Sequence, residues 1–168
     1  MNTREIDCRR SWNVKFLTDA NLGKLAKWLR ILGYDTASYR GEADRKFLMR
    51  AEREGRVVLT RKKDMAARQF SGKIVIVEND NIEEQLAEVM GKVPVAADPD
   101  RLFRICVRCN EVLVAVEKEN VAGLVPAFVY DTQSSFYRCP GCKGIFWPGT
   151  HIDKAINHLK SRILLRHP

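Results

Sequence analysis

Two Cys-x-x-Cys pairs carry the strongest chemical signal in the chain: Cys106-Val107-Arg108-Cys109 and Cys139-Pro140-Gly141-Cys142, with 29 residues between them. Four thiolates at the ends of two such turns can surround one ion tetrahedrally, which is how structural zinc is held, and a closed set of four leaves no open position for chemistry. A redox dithiol is the competing use of such pairs, and disulfides are disfavoured because the N-terminus MNTREIDCRRSWN has charges but no apolar stretch of secretory type. The interval exceeds the common spacing, and the apolar runs 112–116 and 128–130 inside it read as strands of a β-insertion. The expectation is a small β-rich zinc ribbon over residues 101–150, with Cys8 left as a free thiol.

The second set is acidic. Asp19, Glu42, Asp44, Asp64 and Asp80 each fall just past a strand-like run. In a parallel sheet those run ends share one edge, so residues far apart in sequence are gathered by topology. Carboxylates so gathered repel unless a cation joins them, and hard oxygen ligands suit Mg or Mn. Such an ion would activate water and stabilise charge on a phosphate undergoing transfer. Asp at a strand end also caps helices and closes turns, which is the commoner use for any one of them.

The elements that must position these groups are legible from periodicity. Phe16 and Leu17 end on Asp19, and Leu22, Leu25, Ala26, Leu29 and Leu32 then repeat at three and four residues as the buried stripe of a helix that Gly33 stops. Lys24, Lys27 and Arg30 share another side of that helix. A strand follows over 34–39, then a helix burying Phe47, Leu48 and Ala51 and closed by Gly55, then a strand over 56–60. Residues 61–70 read as helical with Met65, Ala66 and Phe70 inward. Residues 74–77 read as a central parallel strand, being apolar on both faces. A last helix starts at Asn81 with Glu84 completing a capping box, buries Ile82, Leu86, Val89 and Met90, and closes at Gly91. Alternating strands and helices give an α/β fold with a parallel sheet flanked by helices over 14–95. The proline-bearing stretch 93–100 is the boundary to the ribbon, and a C-terminal helix over 151–166 (Ile152, Ala155, Ile156, Leu159, Ile163) is expected to pack back on the protein, with His151 at its start.

The chain of 168 residues has a net charge of +8, spread over both parts, which favours a polyanion such as nucleic acid without requiring one. No apolar run approaches the ~20 residues of a membrane span; the expected compartment is the cytoplasm.

Taken together, Phe16-Leu17-Thr18-Asp19, Leu22-Gly23-Lys24-Leu25-Ala26, Leu29-Arg30-Ile31-Leu32-Gly33-Tyr34-Asp35-Thr36, Gly55-Arg56-Val57-Val58-Leu59-Thr60-Arg61, Glu84-Gln85-Leu86, the two cysteine pairs and Trp147-Pro148-Gly149-Thr150-His151 resemble the Mut-seven C-terminal RNase domain family, a PIN-like nuclease fold followed by a zinc ribbon. The resemblance runs from about Val14 to about Asp153. It implies metal-dependent cleavage of RNA, single-stranded RNA among the candidates, with Asp19 and Asp44 at the first acidic positions and Asp64 at a later one. One position departs: the family reads Leu-Thr-Arg-Asp where this chain reads Leu59-Thr60-Arg61-Lys62.

The leading expectation is therefore a ribonuclease. Asp19, Asp44 and Asp64, with Asp80, hold Mg or Mn, and Lys24, Lys27, Arg30, Lys62, Arg108 and Lys143 hold the RNA backbone. The alternative is a nucleic-acid-binding module that kept the fold and lost the chemistry, with Lys62 on a phosphate. A phosphoacceptor or hydrolase-type domain built on Asp19 is the third reading, against which the ribbon and the basic helix face count.

Overall fold

A computed structural model describes residues 14–96 and 98–149, and the chain divides into two compact units, 14–29 with 34–96 and 30–33 with 98–149. Cys8, Thr150, His151 and the expected C-terminal helix lie outside the described residues.

The first unit is built on β1 (Phe16–Thr18), α1 (Gly23–Ile31), β2 (Thr36–Ser38), α2 (Arg45–Glu54), β3 (Val57–Thr60), β4 (Ile74–Ile76) and α3 (Ile82–Lys92). The four strands form one parallel sheet in the order β2-β1-β3-β4, with Leu17 opposite Ala37 on one side and Val58 on the other. The chain runs from β1 to a neighbour on one side and then crosses to the other. Right-handed crossovers in opposite directions put α1 and α2 on opposite faces of the sheet. The reversal falls between β1 and β3, the switch point where α/β sheets open a crevice beyond their strand ends.

The helical stripe behaves as its spacing predicts: Leu22, Leu25, Ala26, Leu29 and Leu32 are all buried. On the α2 face, Leu17, Ala37 and Val58 pack with Ala43, Phe47, Leu48, Ala51 and Met65. Asp44 caps α2 through bonds from the Lys46 and Phe47 N–H groups, and Gly55 ends it in the left-handed conformation, φ 61°. Asn81 caps α3 by accepting from the Glu83 N–H.

Three expectations for this unit need correction. β4 is an edge strand, not a central one; Ile74 and Ile76 are only half-buried, so their apolar character reflects packing on the core rather than a neighbour on both sides. The segment after β3 is a 3-10 turn, Lys63–Ala67, rather than an α-helix; Met65 is buried and Phe70 packs half-buried on the core as expected, while Ala66 is exposed. Gly91 lies inside α3, which continues to Lys92.

A half-buried carboxylate ties α3 to the end of β4. Glu88 accepts from the Glu78 N–H, the Asn79 amide and the Lys92 ammonium. Burial works against its charge, but these donors outweigh burial and hold its carboxyl below the usual range. A depressed folded-state pKa stabilises above the unfolded value, about 4.3, and that stabilisation is lost as pH falls through the folded value. Glu88→Gln is therefore expected to cost about 2 kcal/mol at neutral pH. The cost should shrink as pH falls below about 4; thermal melts of both proteins across that range check it.

The second unit contains β5 (Val114–Val116), α4 (Ala127–Thr132), β6 (Phe136–Arg138) and β7 (Ile145–Phe146), with the strands antiparallel in the order β5-β6-β7. The run 112–116 supplies β5 from Val114 onward, and Val112 forms an isolated bridge with Ile105. The run 128–130 is helical instead: Pro126 opens a single turn and a half, and Phe128 is exposed. A short apolar run cannot be told apart as strand or helix by periodicity. Gly33, at φ +83°, belongs to this unit, and a β-carbon there would come within 2.2 Å of the Arg101 carbonyl oxygen. Only glycine fits that approach.

Candidate active site and metal centre

Asp19 leaves the tip of β1 in extended conformation and is 3% exposed. Its Oδ2 accepts from the Thr60 hydroxyl at 2.7 Å and the Arg61 N–H at 2.9 Å, and its Oδ1 from the Asn21 N–H at 2.9 Å. Thr60 Oγ1 in turn accepts from the Lys62 N–H at 3.1 Å. The carboxylate thus stitches the exit of β3 to the tip of β1 across the switch point, and fixes where Arg61 and Lys62 leave the sheet. Thr60 was not among the candidate site residues, although it stands in the run Leu59-Thr60-Arg61 that carries the family resemblance.

Above this network lies a cavity of about 590 Å³ formed by the segments that follow β1, β2 and β3: Asp19 to Asn21, Arg40 to Ala43, and Arg61 with Lys62. Lys62 Nζ reaches across to donate to the Ala43 carbonyl at 3.3 Å. The Arg61 guanidinium turns away, donating to the Asn79 carbonyl and to Asp80 at 2.6 Å. Arg40 and Glu42 are exposed.

Of the acidic residues that the sequence placed on this edge, Asp19 and Glu42 line the cavity and the others have other uses. Asp44 caps α2, Asp64 pairs with Arg68 at 3.2 Å from the 3-10 turn, and Asp80 holds Arg61 on the far side of β3. Topology brings the strand ends to one edge, but capping and ion pairs engage these three side chains, with Asp64 still 4.0 Å from the Lys62 ammonium. Among the described residues, no three carboxylates come close enough to share an ion. As placed, Asp19, Asp44 and Asp64 do not gather into a three-carboxylate cage for Mg or Mn.

The basic residues divide as well. Lys24 and Lys27 are exposed on α1, but Arg30 is 7% exposed and donates from Nη1 to the Val107 carbonyl at 2.8 Å. Arg30 therefore braces the first cysteine turn within the second unit and is not available to a nucleic-acid backbone. Arg108 is exposed with its guanidinium 5.9 Å from the centre of the Phe146 ring, and Lys143 is exposed with Nζ on the Pro140 carbonyl.

The four cysteines come together. Their sulfurs all lie within 4.8 Å of one another, at 3.7 Å for Cys106–Cys142 and 3.2 Å for Cys109–Cys139, and none is in a disulfide. Zinc with sulfurs at ~2.3 Å in a tetrahedron places them roughly 3.8 Å apart. The two turns repeat each other. Each first cysteine accepts, through its carbonyl, the N–H of the residue after the second cysteine, Asn110 or Lys143, at 3.0 Å, and both of those residues are left-handed. Each first cysteine also donates its N–H to the carbonyl five residues on, Glu111 or Gly144. Cys106 and Cys139 are fully buried, Cys109 and Cys142 exposed. Burial and the adjacent Cys109 and Cys139 thiols push the Cys106 thiol up to about 12, so a cation bound there must displace its proton.

A parallel α/β unit with a buried aspartate at its switch point is thus followed by a β-rich region that gathers four cysteines. Residues 14–159 match the Mut7-C RNAse domain family, and the chain belongs to that family. No curated protein and no solved structure gives a significant match. No helix among the described residues is long and apolar enough to cross a membrane.

Proposed function

We propose that the protein is a ribonuclease that cleaves RNA phosphodiester bonds in the cavity at the β1–β3 switch point. The observation that carries this reading is the Asp19 network: a buried carboxylate that orders two chain segments around an open, charged cavity where the fold places its sites. Membership of an RNase domain family supports the reaction class and RNA as the substrate. Lys62 and Arg40 would hold the phosphate. Asp19 already accepts three hydrogen bonds, whereas Glu42 accepts none among the described residues. Glu42 is therefore the group suited to accept the proton of the attacking hydroxyl or water. The four cysteines would hold structural zinc, which supplies shape to the second unit and no reactive position.

The test is labelled single-stranded RNA incubated with Mn, with Mg and with EDTA, beside Glu42→Gln. The expected result is a cleavage product that the variant forms at least 100-fold more slowly, within the ~10²–10⁴ range of a general base. A Mn-dependent product unaffected by Glu42→Gln would remove Glu42 from the reaction. RNA retained uncut under every condition would overturn the ribonuclease. It would favour the second reading, a binding module, which the dispersal of Asp44, Asp64 and Asp80 supports.

A further inference from the structure

We infer that the switch-point cavity binds a backbone phosphate of RNA directly on Lys62 and Arg40, with the Lys62 ammonium standing where a bridging divalent cation would otherwise be needed. The inference rests on the proposal that RNA is the substrate of this cavity. Three observations carry it. The cavity wall holds three cations, Arg40, Arg61 and Lys62, against two carboxylates, Asp19 and Glu42. Arg61 is spent on Asp80, and Asp19 on backbone and hydroxyl donors, which leaves Arg40 and Lys62 facing one exposed carboxylate.

Lys62 is also held in place. Its N–H is bonded to Thr60 Oγ1, which is bonded to Asp19, and its ammonium bridges to the Ala43 carbonyl on the segment that follows β2. One cation thus spans the two walls of the cavity. An ammonium has three donors, and the Ala43 bond uses one, so two remain for phosphate oxygens. Its one ion-pair contact among the described residues, to Asp64, is at 4.0 Å between half-exposed side chains, a distance and exposure at which a pair is weak.

Divalent ions in phosphate sites sit between carboxylates and phosphate oxygens and neutralise both. Here Asp44 caps α2, Asp64 pairs with Arg68 and stands 4.0 Å from the Lys62 ammonium, and that ammonium already spans the two walls of the cavity. A phosphate needs no ion to be held there.

The experiment measures the affinity of the full chain for a short fluorescein-labelled single-stranded RNA by anisotropy, in EDTA and in Mg, across a salt series, with RNA integrity read from the same samples. The wild type is expected to bind within about twofold in the two buffers, and Lys62→Ala to weaken binding and lower the salt slope by about one. Lys62→Asp is expected to bind more weakly than Lys62→Ala in EDTA and to regain affinity with Mg, with melting curves of all variants confirming the fold. Wild-type binding that collapses in EDTA and returns with Mg overturns the inference, as does Lys62→Ala binding like wild type. Mn-dependent cleavage with Lys62-independent binding would sink this inference and leave the ribonuclease standing. Lys62-dependent binding in EDTA without any product would do the reverse.

Discussion

Removing the zinc proposed at the four cysteines is expected to unfold the second unit while the parallel-sheet unit stays folded. The reason is the scarcity of core. Its strands span three, three and two residues, and its buried apolar side chains outside the cysteines come down to Leu32, Ile105, Val121 and Phe136 among the described residues. A structure with so little apolar burial needs a staple. Structural zinc in small domains contributes about 10–16 kcal/mol of apparent binding free energy at neutral pH, and that is folding free energy. Both cysteine turns also bring a buried thiol to the cluster, and burial with the neighbouring thiols pushes that of Cys106 up to about 12. Metal uptake must release protons, so affinity falls as pH falls. Chelator titration with a colorimetric zinc indicator should release a single zinc per chain. Hydrogen exchange should then show the amides of Cys106, Asn110, Cys139 and Lys143, all bonded within the turns, losing protection, while those of β1 and β3 keep theirs. Full protection of those four amides in the metal-free protein would show that the cysteines do not staple this unit.

What the sequence reveals and conceals here follows from the range of each signal. The stripe Leu22 to Leu32 and the two cysteine turns are local patterns, set by one helix period and by four-residue turns, and the structure reproduces them. Arg30 shows the limit of such a pattern. Its spacing from Lys24 and Lys27 fixes its side of α1, but nothing in that spacing reports that the Val107 carbonyl lies against it. The acidic edge fails for a related reason. Strand ends are gathered by topology, whereas the direction of each carboxylate is decided by its nearest donor, the α2 N–H groups for Asp44 and Arg68 for Asp64. Asp19 differs because two of its three donors, Thr60 and Arg61, come from the exit of another strand, so its capping role and its place in the site coincide. The position of β4 at the sheet edge depends on which strands pair, and a run of three aliphatic residues carries no record of its neighbours.

That double role gives Asp19→Asn an expected effect on stability as well as on activity. A carboxylate present only for catalysis is a strained, charged group, and its neutralisation leaves a protein as stable or more stable. Asp19 instead accepts three hydrogen bonds, two of them on Oδ2 from Thr60 Oγ1 and the Arg61 N–H. In Asp19→Asn one oxygen can still serve Asn21, but the amide nitrogen then faces the Arg61 N–H, donor against donor. Losing a charge-assisted bond and leaving a buried N–H unpaired costs about 2–3 kcal/mol. Thr60→Val breaks the same network from the other side, stranding the Lys62 N–H as well. The two substitutions should therefore be non-additive, with a coupling of roughly 1 kcal/mol or more in a double-mutant cycle. Because Asp19 sets where the chain leaves β3, both variants should also shift Lys62 off the cavity and weaken RNA binding, although Thr60→Val changes no charge. Chemical denaturation of the four proteins of the cycle, with RNA affinity measured on each, tests this. An Asp19→Asn protein at least as stable as the wild type would show that the carboxylate is not the tie between β1 and β3. Additive single effects would show that Asp19 and Thr60 do not act as one network.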